Sequence, residues 1–260
     1  MAQGGNDPRL GDEQGGRPSG HSLGKNSTSK EGISGPRADD DDSHVPFPVL
    51  PQAPTDRFSR EEVVNEILDL TDQIASVALF GSIGVGKSFV ALTLLHHNQT
   101  QAKYGGNRHF MRCDNLANSL EGFLERLSDA IHASRNTDMV GLWSHLETSP
   151  PFILVLDDVD LILDPLAPGT EGISAAVEEF DGYEHVCLVA ASRMYPDIHG
   201  FHRVEVPTLS EDGARDAFYS LCHLHRSSAV HDLIARVDFH PLSIYSPTSH
   251  ARTNGMHRYC

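Results

Sequence analysis

The sequence predicts an α/β fold: a parallel sheet with helices on both faces, in three layers. Three observations carry this. Short, continuously apolar runs, "SVALFG" (76–81), "PFILVLDD" (151–158) and "HVCLVAAS" (185–192), recur along the chain, and runs of that length read as strands buried on both faces. Segments with helical periodicity alternate with them, the pattern of a parallel sheet with crossover helices. A glycine-rich stretch, "GSIGVGKS" (81–88), separates the first run from the next periodic segment.

The elements follow in order. "REEVVNEILDL" places apolar residues at 63, 64, 67, 68 and 70, with acidic residues in the first turn, and reads as a helix. "SVALFG" is a strand and "KSFVALTLLHH" a helix. "RHFMRC" is a short strand. "DNLANSLEGFLERLSDAIHAS" is a long amphipathic helix with Asp114 as its expected N-cap. "DMVGLWSHLET" is a helix, "PFILVLDD" a strand, "GISAAVEEFD" a helix, "HVCLVAAS" a strand and "RVEV" a short strand. "SEDGARDAFYSLCHLH", capped by Ser210, and "SSAVHDLIARVD", stopped by "FHPLS", close the series as helices.

Around this core the composition changes. Residues 1–44 are rich in Gly, Ser, Asp and Pro, include the acidic block "ADDDDSH", and hold too little apolar surface to offset chain ordering, so a disordered tail is expected. Residues 45–57 open with "VPFPVLPQAP", a proline-rich linker. The core is expected over 58–208, the start of a helical lid over 209–244, and an atypical tail over 245–260. The formal net charge of −16 argues against a nucleic-acid or anionic-membrane surface, which needs clustered Lys and Arg. No apolar run is long enough to span a bilayer, and the N-terminus lacks an apolar signal segment. The four cysteines form no CxxC pair and read as buried thiols in a reducing, cytoplasmic setting. The histidines show no HExxH or comparable metal-ligand spacing.

Gly81, Ser82, Ile83, Gly84, Val85, Gly86, Lys87 and Ser88 fit GxxxxGK[ST] between a strand and a helix, the context that this phosphate-binding loop requires. Glycines let the main chain turn sharply and approach closely. N–H groups from about Gly84 to Phe89 then form an anion nest at a helix N-terminus. Lys87 reaches the β- and γ-phosphates, and the Ser88 hydroxyl ligates Mg²⁺. "FILVLDDVD" (152–160) is an apolar strand ending in acid, and Asp157 is placed to hold the same Mg²⁺. Asp158 or Asp160 is a candidate general base toward an attacking water. The 70-residue interval from Lys87 to Asp157 contains an extra strand, which suits the sheet order 5-1-4-3-2. No NKxD guanine-reading motif occurs, which favours adenine: ATP or ADP.

The segment from about Phe58 to Ile244 resembles the NB-ARC/NACHT-type core of STAND NTPases, in particular the NLR-like proteins of mushroom-forming fungi. The blocks that carry the resemblance are "FGSIGVGKSFVALTLLHH", "NRHFMRCDN", "ILVLDDVDLILDP", "CLVAASR", "VPTLSEDGARDAFY" and "VDFHPLSI". It implies that Arg193 of "AASR" faces the γ-phosphate, that Pro241 of "HPLSI" packs on the nucleotide, and that Asp160 is slightly favoured over Asp158 as the base. Ser59-Arg60 stands where relatives carry Gly-Arg near the adenine. The resemblance implies a nucleotide-dependent signalling switch, a slow Mg-dependent ATPase with homotypic or effector protein partners. A constitutive ATPase and a truncated, non-switching remnant or interaction protein stay open as alternatives. The family continues into further lid helices, a winged-helix domain and a repeat sensor. "YSPTSHARTNGMHRYC" has no helical period and reads as an unrelated end, a truncation after the nucleotide-binding domain.

Overall fold

The computed structural model describes residues 50–55, 60–73, 76–114, 116, 119–133, 138–164, 166–194, 198–222 and 228–244. The expectations for residues 1–44 and for 245–260 lie outside them. All described residues fall in the unit Val45–Cys260.

Five strands form one parallel sheet: β1 (Val77–Phe80), β2 (Arg108–Arg112), β3 (Phe152–Asp157), β4 (Val186–Ser192) and β5 (His202–Glu205). Their order is β2-β3-β4-β1-β5, the expected 5-1-4-3-2 read from the other edge. In register, Phe80 pairs with Ser192 and Glu205, and Asp157 pairs with Arg112 and Ala191. The carboxyl ends of β1, β3 and β4 therefore finish at one edge, where parallel α/β sheets place their ligand sites.

Among the described residues, α1 (Glu61–Asp72), α2 (Lys87–Leu95), α3 (Asn98–Tyr104), α4 (Leu120–Ala130), α5 (Met139–Thr148) and α6 (Thr170–Asp181) flank the sheet, and α7 (Glu211–Cys222) and α8 (Ser228–Arg236) pair with each other. Strand alternation divides the core in two. Ile153, Val155, Val189 and Leu79 face α1 and α2 through Ile67, Leu68, Val90 and Leu94. Leu154, Leu156, Leu188 and Ala190 face α4, α5 and α6 through Phe123, Leu127, Leu146, Ile173 and Phe180. A third, smaller cluster ties α7 and α8 together through Ala214, Ala217, Phe218, Val230 and Ile234, with Leu209 and Ile244.

Three details differ from the sequence reading. The long helix begins at Leu120, and its N-cap is Ser119, whose hydroxyl accepts from Gly122 N at 3.2 Å. Asp114 instead accepts from Arg112 at 2.9 Å, so the neighbouring strand end claims the carboxylate. Helix α3 was not foreseen. Its polar sequence NQTQAKY has no apolar stripe, and it is fixed by burial of Thr100 and Tyr104 and by Lys103 donating to Thr71 O at 2.5 Å. Part of the proline-rich linker also packs on the core: Leu50 joins the α1–α2 cluster, and the His96 ring bonds Pro51 O at 2.7 Å. The Ser210 cap is as expected, accepting from Gly213 N at 3.1 Å.

Candidate functional site

The loop of residues 81–88 leaves β1 and opens α2. Three glycines have positive φ: Gly81 (149°), Gly84 (74°) and Gly86 (105°). At two of them space matters as much as torsion. A Cβ on Gly81 would lie 2.8 Å from Val206 O, and one on Gly84 would lie 2.6 Å from the Leu242 Cβ. Val85 turns inward and is buried, while Ile83 stays exposed. The Val85 N–H donates to Ser82 O at 3.2 Å, closing a turn inside the loop. Helix α2 starts at Lys87, so the N–H groups of its first turn have no intrahelical partners and its positive dipole end lies at the loop.

Lys87 folds over this loop. Its Nζ donates to Gly81 O at 2.8 Å and to Ser82 O at 3.1 Å. Burial lowers its proton affinity, opposed by the carboxylates of Asp160, Asp157 and Asp158, while Arg193 adds to the lowering. Lys87, the three acids and Arg193 thus form one electrostatic cluster at the carboxyl edge.

Ser88, one residue on, donates from Oγ to Asp157 Oδ1 at 2.8 Å. Asp157 is only 4% exposed, in a strand buried along its whole length. Burial pushes its pKa up; the Ser88 hydrogen bond, Arg112 and Lys87 oppose that. A hydroxyl and a buried, incompletely neutralised carboxylate side by side are hard oxygen ligands for a small divalent cation. The two sequence motifs, 69 residues apart, therefore meet.

The other acidic residues divide. Asp160 is committed: its Oδ1 accepts from Ser192 Oγ and from Arg193 N, both at 2.9 Å. Its Oδ2 also lies 3.7 Å from Arg193 Nε. Asp160 thereby fastens the end of β4 to the loop after β3. Asp158 sits at φ 62°, a left-handed conformation that a residue other than glycine adopts at some cost. Burial, and next the hydrogen bond with Asp160, hold its carboxyl above the usual range. The Arg193 side chain is half exposed beside this group.

A cavity of about 220 Å³ adjoins the loop, lined by Arg60, Val85, Phe89, Leu209, Pro241 and Leu242 among others. Its walls are apolar, with Pro241 and Leu242 supplied by the segment after α8. Pro241 and Phe89, both singled out in the sequence, are thus brought to the loop. Arg60 is the residue that sequence reasoning underweighted. It is 4% exposed. Its guanidinium donates to Val85 O and to Pro207 O, each at 2.6 Å. It pins the loop to the chain leaving β5. The charged residue just ahead of α1 was the available signal, but its acceptors are distant in sequence.

No family model matches the chain, and no curated protein matches it. Solved structures do match in three dimensions. The Walker-type ATPase PABY2304 of Pyrococcus abyssi superposes with a TM-score of 0.58 at 15% identity, over 80% of this chain and 72% of that one. A structure described as the basis for katanin self-assembly gives 0.52 at 14% identity, over 78% and 71%. The replication initiator DnaA, bound to AMPPCP and single-stranded DNA, gives 0.50 at 16% identity, over 77% of this chain and 63% of that one. At such identities the likeness is one of fold. With the sheet order and the 81–88 loop at its carboxyl edge, this chain has the three-layer α/β/α fold of P-loop NTPases.

Proposed function

We propose that this chain binds ATP or ADP with Mg²⁺ at Gly81–Ser88 and Asp157, and acts as a STAND-type nucleotide-dependent switch that hydrolyses ATP slowly. The observation that carries the reading is the 2.8 Å contact of Ser88 with Asp157 beneath a loop closed by Lys87. Bound Mg²⁺ would supply charge neutralisation between the phosphates and the two oxygen ligands. Lys87 binds the outer phosphates. The apolar cavity beside Gly84–Gly86 suits a purine base, with Pro241 and Phe89 against it. The absence of an NKxD motif from the chain keeps the assignment on adenine.

Slow turnover follows from the acidic residues. Asp160, whose oxygens are occupied by Ser192 and Arg193, holds the site's shape. Asp158, whose carboxyl burial holds above its ordinary pKa, is the group to orient a water. A side chain this short, set at a strained position, reaches poorly. That favours a switch over a constitutive motor. Arg193 faces the outer phosphate from the end of β4. The net charge of −16 supports homotypic or effector protein partners over nucleic acid.

Mass spectrometry of nucleotide released from purified, denatured protein tests the ligand, with ADP or ATP expected; a guanine nucleotide would sink the adenine assignment. Lys87→Ala tests the site. Loss of one charge-assisted hydrogen bond to phosphate costs about 1.5–3 kcal/mol, roughly a 10- to 150-fold drop in affinity. At ligand near 100 times its Kd, wild type gains about 2.7 kcal/mol of stability and the variant, at the same concentration, about 0.3–1.4 kcal/mol. Folded wild type with no melting shift in millimolar Mg·ATP or Mg·ADP would leave the non-switching interaction protein as the better reading.

A further inference from the structure

We infer that His240 is a specificity-determining residue of the phosphate site, one that favours a nucleoside triphosphate over a diphosphate; this rests on the nucleotide-binding reading above. The argument starts from Lys87. Its Nζ lies against the carbonyls of Gly81 and Ser82. In loops of this type the lysine serves the β- and γ-phosphates, so the Gly81–Ser82 arm marks the outer-phosphate end. His240 stands at that arm. Its Nε2 is 3.2 Å from Ser82 Oγ, a contact open to solvent across 158 residues of sequence.

The ring is set so that Nε2 is a donor. Nδ1 is buried and has no hydrogen-bond partner among the described residues. An orphaned N–H is costlier than an orphaned lone pair, which assigns the proton to Nε2, directed at Ser82 and the loop mouth. A terminal phosphate oxygen is a stronger acceptor than a serine hydroxyl. It takes over that proton while Ser82 Oγ becomes free to donate to the same group. A diphosphate lacks the oxygens at this end and leaves the Ser82–His240 pair as it is.

The backbone holds His240 there firmly. Asp238 and Phe239 both adopt left-handed φ, 49° and 54°, although neither is glycine. Such torsions persist where surrounding bonds over-determine them. Leu209 N donates to Phe239 O at 3.1 Å, His240 N donates to Val237 O at 2.9 Å, and Ile244 N donates to His240 O at 3.1 Å. Leu242, two residues on, packs against Gly84 so closely that a Cβ there would meet it at 2.6 Å. The α7–α8 unit thus carries a donor to the outer-phosphate end, and its seat becomes linked to whether the third phosphate is present.

Calorimetric titration of the full chain with Mg·ATP and with Mg·ADP, each with His240→Ala, His240→Gln and Leu242→Ala, tests this. His240→Ala should weaken Mg·ATP roughly tenfold, the loss of one hydrogen bond to a charged acceptor, and leave Mg·ADP within about twofold. His240→Gln, whose amide N–H reaches the place of Nε2, should restore most of the ATP affinity. Leu242→Ala removes lid packing and part of the base-cavity wall, which both nucleotides share, and should change both alike. A His240→Ala loss equal for both nucleotides, or none for either, overturns the inference while leaving nucleotide binding intact. Wild type that binds neither nucleotide overturns the binding reading and this inference together. Melting of each nucleotide-free variant identifies any that fails to fold; if His240→Ala does, His240→Phe, which keeps a ring without its nitrogens, takes its place: a loss for Mg·ATP selectively supports the inference, and an equal loss for both nucleotides or none for either overturns it.

Discussion

Arg60 offers the sharpest test of how the loop is held. The side chain is buried, and its guanidinium spans two carbonyls from different parts of the chain, Val85 O in the loop and Pro207 O beyond β5, each at 2.6 Å. Each hydrogen bond from a charged donor is worth about 1.5–3 kcal/mol, so the gross figure is about 3–6 kcal/mol. Burial opposes this, since desolvation lowers the pKa of Arg60 and thus destabilises its charged form. Arg60→Ala also strands two carbonyls. A net loss of about 2–4 kcal/mol follows, in line with breaking other buried charged contacts. For a folded unit of this size, each kcal/mol lowers Tm by about 2–4 °C, so Arg60→Ala should melt roughly 4–16 °C below wild type. Arg60→Lys keeps the charge, but a compact ammonium cannot span both acceptors. It should lose about half as much. Differential scanning calorimetry of the three proteins without nucleotide reads the effect. An Arg60→Lys variant as stable as wild type, or an Arg60→Ala loss under about 1 kcal/mol, would refute the two-carbonyl bridge.

Two further outcomes concern residues on opposite edges of the sheet. Gly84→Ala should destabilise by more than the roughly 1–2 kcal/mol of a positive φ alone, because the new Cβ also meets Leu242, and a melting loss within that torsional figure would contradict the contact. His109, buried between His132 and Phe152, is lowered to a pKa of about 4, first by burial and then by His132. Its folded pKa lies below its unfolded value near 6.5, so its contribution is complete above about pH 6.5 and is lost as pH falls toward 4. Up to about 3 kcal/mol is at stake. Replacement by Asn should flatten the pH–stability curve over that window, and an unchanged curve would count against a neutral buried imidazole.

What the sequence made legible was what depends on local pattern. Continuous apolar runs announced β1, β3 and β4, and the interval between Lys87 and Asp157 announced the extra strand that fixes the sheet order. The loop glycines and Lys87 were legible because their chemistry is written in eight consecutive residues. Contacts that depend on tertiary placement were not. The resemblance marks Arg60 as a residue near the adenine, but does not show that its guanidinium would be engaged by Pro207 O, 147 residues away. Asp160 was legible as an acid just past β3, but that Ser192 and Arg193 would occupy its oxygens follows only from the β3–β4 register. Helix α3 has no periodicity to detect; its buried face is two residues, Thr100 and Tyr104. His240 read as part of a helix stop, and nothing in the sequence pairs it with Ser82 of the loop, 158 residues away.

The electrostatics of the site lead to a dependence on the divalent cation. Asp157, Asp158 and Asp160 all act on Lys87, with Arg193 the other cation acting on it; Arg112 also acts on Asp157 but is paired with a fourth carboxylate, Asp114. A polyphosphate entering alone meets more negative than positive charge. At about 8 Å and an effective dielectric near 20, one pair of like unit charges costs about 2 kcal/mol. Chelating the metal should therefore weaken ATP binding by more than roughly tenfold, since about 1.4 kcal/mol is tenfold. Asp157→Asn separates the causes. The amide oxygen can still accept from Ser88, but the buried charge is gone. Metal dependence should fall sharply, with ATP binding in chelator stronger than in wild type. The pH dependence has a definite sign. Burial raises the folded pKa of Asp157, so its ionised form costs stability above that pKa, and the cost is relieved as pH falls through it. Without nucleotide, Asp157→Asn should melt above wild type at pH 7, and the gap should close on acidification. A variant that melts below wild type at pH 7, by a margin that does not shrink in acid, would show that Asp157 holds the fold together rather than waiting for a cation.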